Sequence, residues 1–291
     1  MTKRKGIILA GGSGSRLNPI TNAVSKHLLQ VYDKPMIYYP ISTLMLAGIR
    51  EILIISSPKH IDLYKNLIKK IGKIGVDFKF LVQEKPKGIA HGLIIAEKFL
   101  NGSPCVLILG DNLFYGNGFS NLLNKADKNE KGAFIFSYQV KNPNQYGVLK
   151  FNRNNEIVSI VEKPKVFVSN IAVTGLYFYD NTVVEKAKSL RPSERGELEI
   201  TDLNRLYLQG KNLNVSIMSR GYAWLDTGTP ESMMEASNFI YTLEKRQGTK
   251  ICCPEEIALE KDLISKESLI KAFKDKKGNY AEYIKGICES N

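Results

Sequence analysis

Metal-ligand spacing, a disulfide framework and long apolar runs are all missing from this chain of 291 residues. Its three histidines, His27, His60 and His91, lie far apart and none pairs with another at ligand spacing. That argues against a zinc site and against a histidine-assisted nucleophile. The four cysteines, Cys105, Cys252, Cys253 and Cys288, show no CxxC spacing and two are adjacent, so they do not read as a disulfide framework. No apolar run approaches the length that crosses a bilayer. The basic start MTKRKGIILAGG contains only Ile7 to Ala10 as its apolar part, too short for a signal peptide. A soluble cytoplasmic protein with no membrane partner is expected. Internal repeats and low-complexity linkers are absent as well.

One charge sign is in excess: 41 Lys and Arg against 29 Asp and Glu give a net charge of +12. The lysines are spread along the chain and interleaved with acids, as in NKADKNEKG, and no aromatic-basic stripe accompanies them. No nucleic-acid partner is expected; a lysine-rich surface instead attracts small polyanionic substrates. An apolar fraction of 43% is enough for a sizeable core.

Apolar β-rich runs recur, each followed by helical spacing. KGIILAGG, EILIISS, FKFLVQE and CVLILGD are too continuous for half-exposed strands and predict buried ones. HIDLYKNLIKKIG and GIAHGLIIAEKFL predict helices between them. Asp33-Lys34-Pro35 predicts a helix start with Asp33 as N-cap, and Pro40 inside that helix predicts a kink or a break. The second half predicts successive strands over GAFIFSYQV, YGVLKFN, EIVSIVEKP and IAVTGLYFYD. A helix over LEITDLNRLYLQG, a strand over NVSIMSRG and a long helix over PESMMEASNFIYTLEKRQG follow. The fold class is α/β: a mostly parallel, Rossmann-like mixed central sheet flanked by helices, with antiparallel additions and a C-terminal helical extension. Residues 1–248 read as one α/β domain. Residues 249–291 read as helices packed on that domain, since ~43 residues rarely bury a core alone.

Such sheets bind ligands at the carboxyl ends of their strands. The loop GGSGSR follows the first strand there, and Asp111 ends another. The loop matches neither GxxxxGK[ST] nor GxGxxG. What remains is Gly11, Gly12 and Gly14, whose backbone can approach an anion, hydroxyls beside them, and Arg16, whose fork suits phosphate oxygens. Lys26 could reach the same phosphates. The other reading is a flexible Gly/Ser turn with a solvated arginine. Asp111 in LGDNLFYG either serves a magnesium-bound phosphate or caps a turn. Asp226 in AWLDTGTPESM is alone a turn or cap residue; with Asp111 it would complete a two-carboxylate magnesium site. Glu162 and Lys163 of VEKP are either a surface ion pair or a sugar-hydroxyl acceptor beside a phosphate cation. Gln83 has the donor and the acceptor needed to read a nucleobase edge.

Together LAGGSGSRLNPIT, SKHLLQVYDKPMIYYP, LGDNLFYG, VEKP, VTGLYFYD, RGELEITD and GYAWLDTGT resemble the sugar nucleotidylyltransferase family. Within it they look like the bacterial enzymes that make dTDP-glucose, and ICCPEEIAL is similar to their long form. The resemblance runs from about Lys5 to the C-terminus. It implies transfer of a thymidylyl group from dTTP to glucose 1-phosphate by Mg²⁺-dependent in-line attack on the α-phosphate, a first step toward dTDP-rhamnose and related deoxysugars. Arg16, Lys26 and Lys163 would be the catalytic cations. Leu9, Gly11, Gly12, Ser13, Gly14, Ser15, Arg16, Lys26 and Asp111 would hold the nucleotide, with Gln83 and Gly88 recognising thymine. Asp111 and Asp226 would bind Mg²⁺. Tyr146, Gly147, Glu162, Lys163 and Val173 would contact the sugar phosphate, with Trp224 packing nearby. The resemblance also implies a homotetramer, inhibited by a dTDP-sugar at a separate site for which Tyr115 and Arg220 are candidates.

The sequence departs from the family pattern at Ser15, usually threonine, at His27 and Gln30, usually glutamine and proline, at His91, usually glutamine, and at Asn117, usually histidine. The phosphate and metal positions are intact, so the departures bear on base preference and feedback inhibition. Rival readings are a nucleotidylyltransferase using UTP or another sugar, and a non-enzymatic sensor of sugar nucleotides.

Overall fold

The computed structural model describes residues 3–12 and 14–289. At the centre of a nine-stranded sheet, Lys5–Leu9 lies parallel to Cys105–Leu109 on one side and to Glu51–Ser56 on the other; Asp77–Val82 adds a further parallel strand. Alternate side chains enter opposite cores. Ile8, Ile52 and Ile54 face one way, while Ile7, Leu53 and Ile55 face the other. Burial on both faces is why these strands read as continuous apolar runs. The first core is closed by the helices Tyr38–Leu46, Ile61–Ile71 and Phe119–Asp127, the second by Ile89–Ile95, Val183–Lys188 and Ile200–Gln209.

Ile171–Tyr179 runs antiparallel to Cys105–Leu109 and makes the sheet mixed. Ala133–Gln139, Gly147–Phe151 and Ile157–Glu162 extend it antiparallel, and Leu213–Met218 joins parallel to Ala133–Gln139. Among the described residues no helix is long and apolar enough to cross a membrane.

Three expectations need correction. Asp77–Val82 is not fully buried: it ends the sheet, pairs on one side only, and exposes Asp77 and Lys79. Asp33 does not cap a helix. Lys34–Pro35 pairs with Gln30–Val31 as a short hairpin, and the helix begins at Tyr38. Pro40 falls in its first turn, where the missing N–H costs no helical hydrogen bond. The reason is electrostatic. Lys34 is 3% exposed, and its Nζ lies 2.6 Å from Asp33 and 2.9 Å from Glu244 on the long helix Pro230–Gln247. Lys250 binds the same two carboxylates. Buried charge is tolerated here because every member is paired. Finally, the strand ending CVLIL stops at Leu109. Asp111 stands in the turn to a separate two-stranded ribbon, Asn112–Gly116 with Tyr222–Asp226, which the sequence pattern does not announce.

After Gly248 the chain forms Pro254–Glu260, Lys266–Phe273 and Asn279–Glu289. The first packs on Tyr38–Leu46, and the other two share a small core of Leu269, Phe273 and Ile284 with Cys253.

Candidate active site

The carboxyl ends of the central strands open into one depression. After Leu9, Gly14 takes φ 62°, a left-handed conformation suited to glycine, and starts the turn Ser15–Leu17. The turn is closed by the Leu17 N–H donating to Gly14 O at 2.8 Å, and the Thr21 hydroxyl donates to the same carbonyl at 2.9 Å. Arg16 is exposed on this turn, with its guanidinium against the buried Gly228. Ser13 lies outside the described residues.

Asp111 is held from all sides. Lys26 Nζ is 2.5 Å from Oδ2, and Asn112 Nδ2 donates to Oδ1 at 2.8 Å. Its carbonyl accepts from the Thr227 N–H at 3.1 Å and from the Thr227 hydroxyl at 2.9 Å. Asn112 Oδ1 in turn accepts from Trp224 Nε1 at 2.7 Å and from the Gly175 N–H at 3.0 Å. Because Asn112 pairs with Asp226 across the ribbon, Asp226 arrives beside Asp111.

The two carboxyls are tuned in opposite directions. Burial pushes Asp111 up, but Lys26, His27 and the hydrogen bonds from Lys26 and Asn112 outweigh it and bring it down to about 2. Burial also pushes Asp226 up. A hydrogen bond from Tyr146 and the charges of Lys26 and Arg16 oppose that, the charge of Asp111 adds to it, and Asp226 ends above the usual carboxylate range. Two carboxylates close enough for the charge of one to raise the other fit a hard divalent cation. Among the described residues no group of three or more His, Cys, Asp or Glu gathers for a metal. Magnesium needs only one or two protein carboxylates when substrate oxygens and water complete its shell. His27 is buried beside Asp111, and burial lowers it to about 4, so it is a neutral packing group at neutral pH.

Beside Asp111, a cleft of about 220 Å³ is lined by Leu9, Gly11, Gly12, Gln83, Gly88 and Asp111. Gly88 has φ 94° and lies so close to Leu198 that a Cβ would sit 2.4 Å from its carbonyl oxygen. A second hollow, lined by Gly14, Ser15, Arg16, Lys26 and Gly228, shares Gly11, Gly12 and Asp111 with the first. On the opposite side, Glu162 Oε2 accepts from the Thr201 hydroxyl at 2.5 Å, and Oε1 faces Lys163 at 3.8 Å and Arg195 at 3.6 Å. Lys163 has φ 41°, and its N–H donates to the Tyr146 carbonyl at 2.9 Å. A non-glycine residue held there carries backbone strain of the kind found at binding sites. Gly147 pairs with Glu162, and Val173 follows the Ala172–Val148 pair. The Tyr146 ring meets Trp224 edge-on at 5.1 Å.

Tyr115 and Arg220 line separate concavities. Tyr115 faces one of about 410 Å³ with Asn117, Lys250, Cys252 and Glu256, whereas Arg220 lies in a groove with Tyr138, Asn170 and Met218. The sequence reading missed Asn112, Thr227 and Gly228, which position Asp111 and Arg16, and Thr201 and Arg195, which hold Glu162. Their only signal was membership of LGDN, DTGT and RGELEITD.

A family model described as nucleotidyl transferase matches residues 5–242. A glucose-1-phosphate thymidylyltransferase of Xanthomonas campestris pv. campestris is 51% identical over 290 residues, covering 99% of this chain and 98% of that one. One of Neisseria meningitidis is 52% identical over 281 residues, covering 96% and 98%. Among solved structures, a Bacillus anthracis protein in complex with a sucrose superposes with a TM-score of 0.75 at 40% identity, covering 81% of this chain and 94% of that one.

Proposed function

This chain belongs to the nucleotidyl transferase family, and we infer that it transfers the thymidylyl group of dTTP to glucose 1-phosphate, releasing pyrophosphate and dTDP-glucose. The observation that carries this reading is the convergence of Arg16, Lys26, Asp111 and Asp226 on one glycine-rich loop. A sugar-phosphate oxygen forms the new bond to the α-phosphorus of the triphosphate, and the α–β bridging bond breaks. The nucleophile is already anionic, so no general base or covalent intermediate is needed. The barrier lies in bringing two polyanions into line.

The protein's own groups address that barrier. Gln83 and the Gly88 backbone hold the base, and the loop N–H groups hold the phosphates. Arg16 and Lys26 offset charge on the α-phosphate and the leaving pyrophosphate. Glu162 accepts sugar hydroxyls while Lys163 neutralises the attacking phosphate. Asp111 and Asp226 are the residues that would hold Mg²⁺, which when bound supplies positive charge at the phosphates. On the family resemblance alone we also propose a homotetramer, a dTDP-sugar inhibitor in the concavity faced by Tyr115, and a cytoplasmic setting.

The reading is tested by pyrophosphate release with glucose 1-phosphate, comparing dTTP with UTP, with and without EDTA. Fast release with dTTP that EDTA stops is expected. Release with UTP alone overturns the thymidylyl assignment, and no release with either overturns the reaction. The seat of Arg16 gives a finer check. The three atoms nearest a Cβ on Gly228 would all belong to the Arg16 guanidinium, at 3.2 to 3.4 Å. Gly228→Ala is therefore expected to melt like the native chain yet turn over roughly tenfold more slowly, because a small misplacement of a charge-bearing group is costly. Native turnover in that variant would remove the seat from the mechanism.

A further inference from the structure

The lysine excess, interleaved with acids along the sequence, is concentrated once the chain is folded. Residues 69–73 and 274–277 hold Lys69, Lys70, Lys73, Lys274, Lys276 and Lys277 against a single acid, Asp275. These nine residues carry a net +5 of the chain's +12. The two stretches meet in space: Lys276 Nζ donates to the Lys70 carbonyl at 3.4 Å, across 206 positions of sequence. Lys285 Nζ reaches the carbonyls of Lys274 and Lys276 at 3.1 and 3.0 Å and adds a further charge. Five of the six lysines are exposed and Lys276 is half-buried. Elsewhere Lys65, Lys79 and Lys188 each have a carboxylate within 3.1 Å, whereas among the described residues none of the six forms an ion pair. Like charges gathered without partners repel and cost stability. An anionic partner that supplies the counter-charge removes that cost.

The cluster lies away from the depression. Helix Ile61–Ile71 leaves the carboxyl end of Glu51–Ser56 and runs back, so Lys69 and Lys70 end it beside the amino ends of the strands. At that edge the Asp77 N–H donates to the Arg50 carbonyl at 2.8 Å. The acids there, Glu51 and Asp77, are already paired with Lys5 and Lys79. Eleven helical residues span ~16 Å, twice the ~8 Å over which physiological salt screens a charge. This part of the lysine excess therefore does not act on substrates at the glycine loop.

The chemistry of the cluster narrows the partner. Nucleic acids are met by arginine forks and by aromatic rings on which bases stack. The cluster contains no arginine, and the ring beside it, Phe273 under Lys276, is buried. Grouped ammonium point charges suit the diffuse negative layer of anionic lipid headgroups, where each adds ~5-fold to the partition. We propose that the face formed by the end of helix Ile61–Ile71 and by residues 274–277 docks the protein reversibly on an anionic lipid surface. The depression, at the other end of the sheet, stays open to solution. Among the described residues no helix can cross a membrane, and surface contact needs none.

The test is co-sedimentation of the full chain with vesicles of phosphatidylglycerol and phosphatidylcholine in equal parts, or of phosphatidylcholine alone, at low and physiological salt. Binding to the anionic vesicles only, weakened by salt, is expected. Lys70→Gln, Lys73→Gln and Lys277→Gln together are expected to lower the partition ~100-fold. Removing the same charge with Lys98→Gln, Lys188→Gln and Lys211→Gln, on or beside the helices of the second core, is expected to leave it near native. Equal binding to phosphatidylcholine, no binding to anionic vesicles at low salt, or equal losses in the two triple variants overturns the proposal. Binding to duplex DNA that is tighter than to vesicles and lost in the first variant assigns the face to nucleic acid and overturns it too. A melt of each variant checks its fold; if the first does not fold, the lipid and salt comparison on the native chain decides alone. No turnover enters the readout, so the failure of the reaction described above and the failure of this docking are told apart.

Discussion

Replacing Arg16 with alanine is expected to lower turnover by roughly 100- to 1,000-fold, the usual cost of removing one preorganised charge from a transition state, and to leave the melting temperature unchanged. The two halves of that expectation have separate causes. The turn that carries Arg16 is closed by backbone bonds to Gly14 and by the Thr21 hydroxyl, so the exposed side chain can be shortened without opening the loop. The guanidinium is the fork-shaped cation lining the hollow proposed to hold the phosphates, and Lys26, already committed to Asp111, cannot replace its geometry. The measurement is kcat at saturating dTTP and glucose 1-phosphate, with a thermal melt of the same sample. Turnover within tenfold of native would take Arg16 out of the mechanism.

Asp226→Asn is expected to lower turnover as severely and to make the fold no less stable. Asp226 is raised above the ordinary carboxylate value by burial and by the charge of Asp111. A carboxyl raised in the folded state binds its proton more tightly there than in the unfolded chain. Its ionisation therefore takes stability away as pH rises from the ordinary carboxylate value through the raised one. At neutral pH asparagine removes that cost, keeps a hydrogen-bonding partner for Tyr146, and deletes one of the two carboxylates proposed to hold the metal. A urea midpoint at or above native together with a loss of at least ~100-fold in turnover is the expected pair of results. Near-native turnover would place the metal elsewhere. The opposition of stability and activity at one residue is common where a site gathers like charges for its ligand.

How much of this was legible in the sequence depended on range. The parallel strands showed as apolar runs because both of their faces are buried, a local signal. The exception, Asp77–Val82, looks the same in composition but lies at the sheet edge, a fact decided by which strands pair and not by its own residues. Asp33 failed as a helix cap because Lys34 finds Glu244, 210 residues away in the chain. The glycine loop and the two aspartates were visible as residue types. Their convergence was not, since it requires the ribbon. Tyr146, Val173 and Trp224 came only from the family resemblance, and Thr201 stayed hidden because its bond to Glu162 spans 39 residues.

The ribbon that joins Asn112–Gly116 to Tyr222–Asp226 also sets a timetable. The two strands are far apart in the chain, with Trp224 and Asn112 separated by 112 residues. A nascent chain leaves the ribosome from its N-terminus at about 5–20 residues per second. Asn112–Gly116 therefore waits roughly 6 to 22 seconds for its partner, at those rates of synthesis. During that interval the parallel core strands, the glycine loop and Asp111 are already made, while Asp226 and Thr227 are not. The depression is thus completed by a segment made well after the core strands that support it.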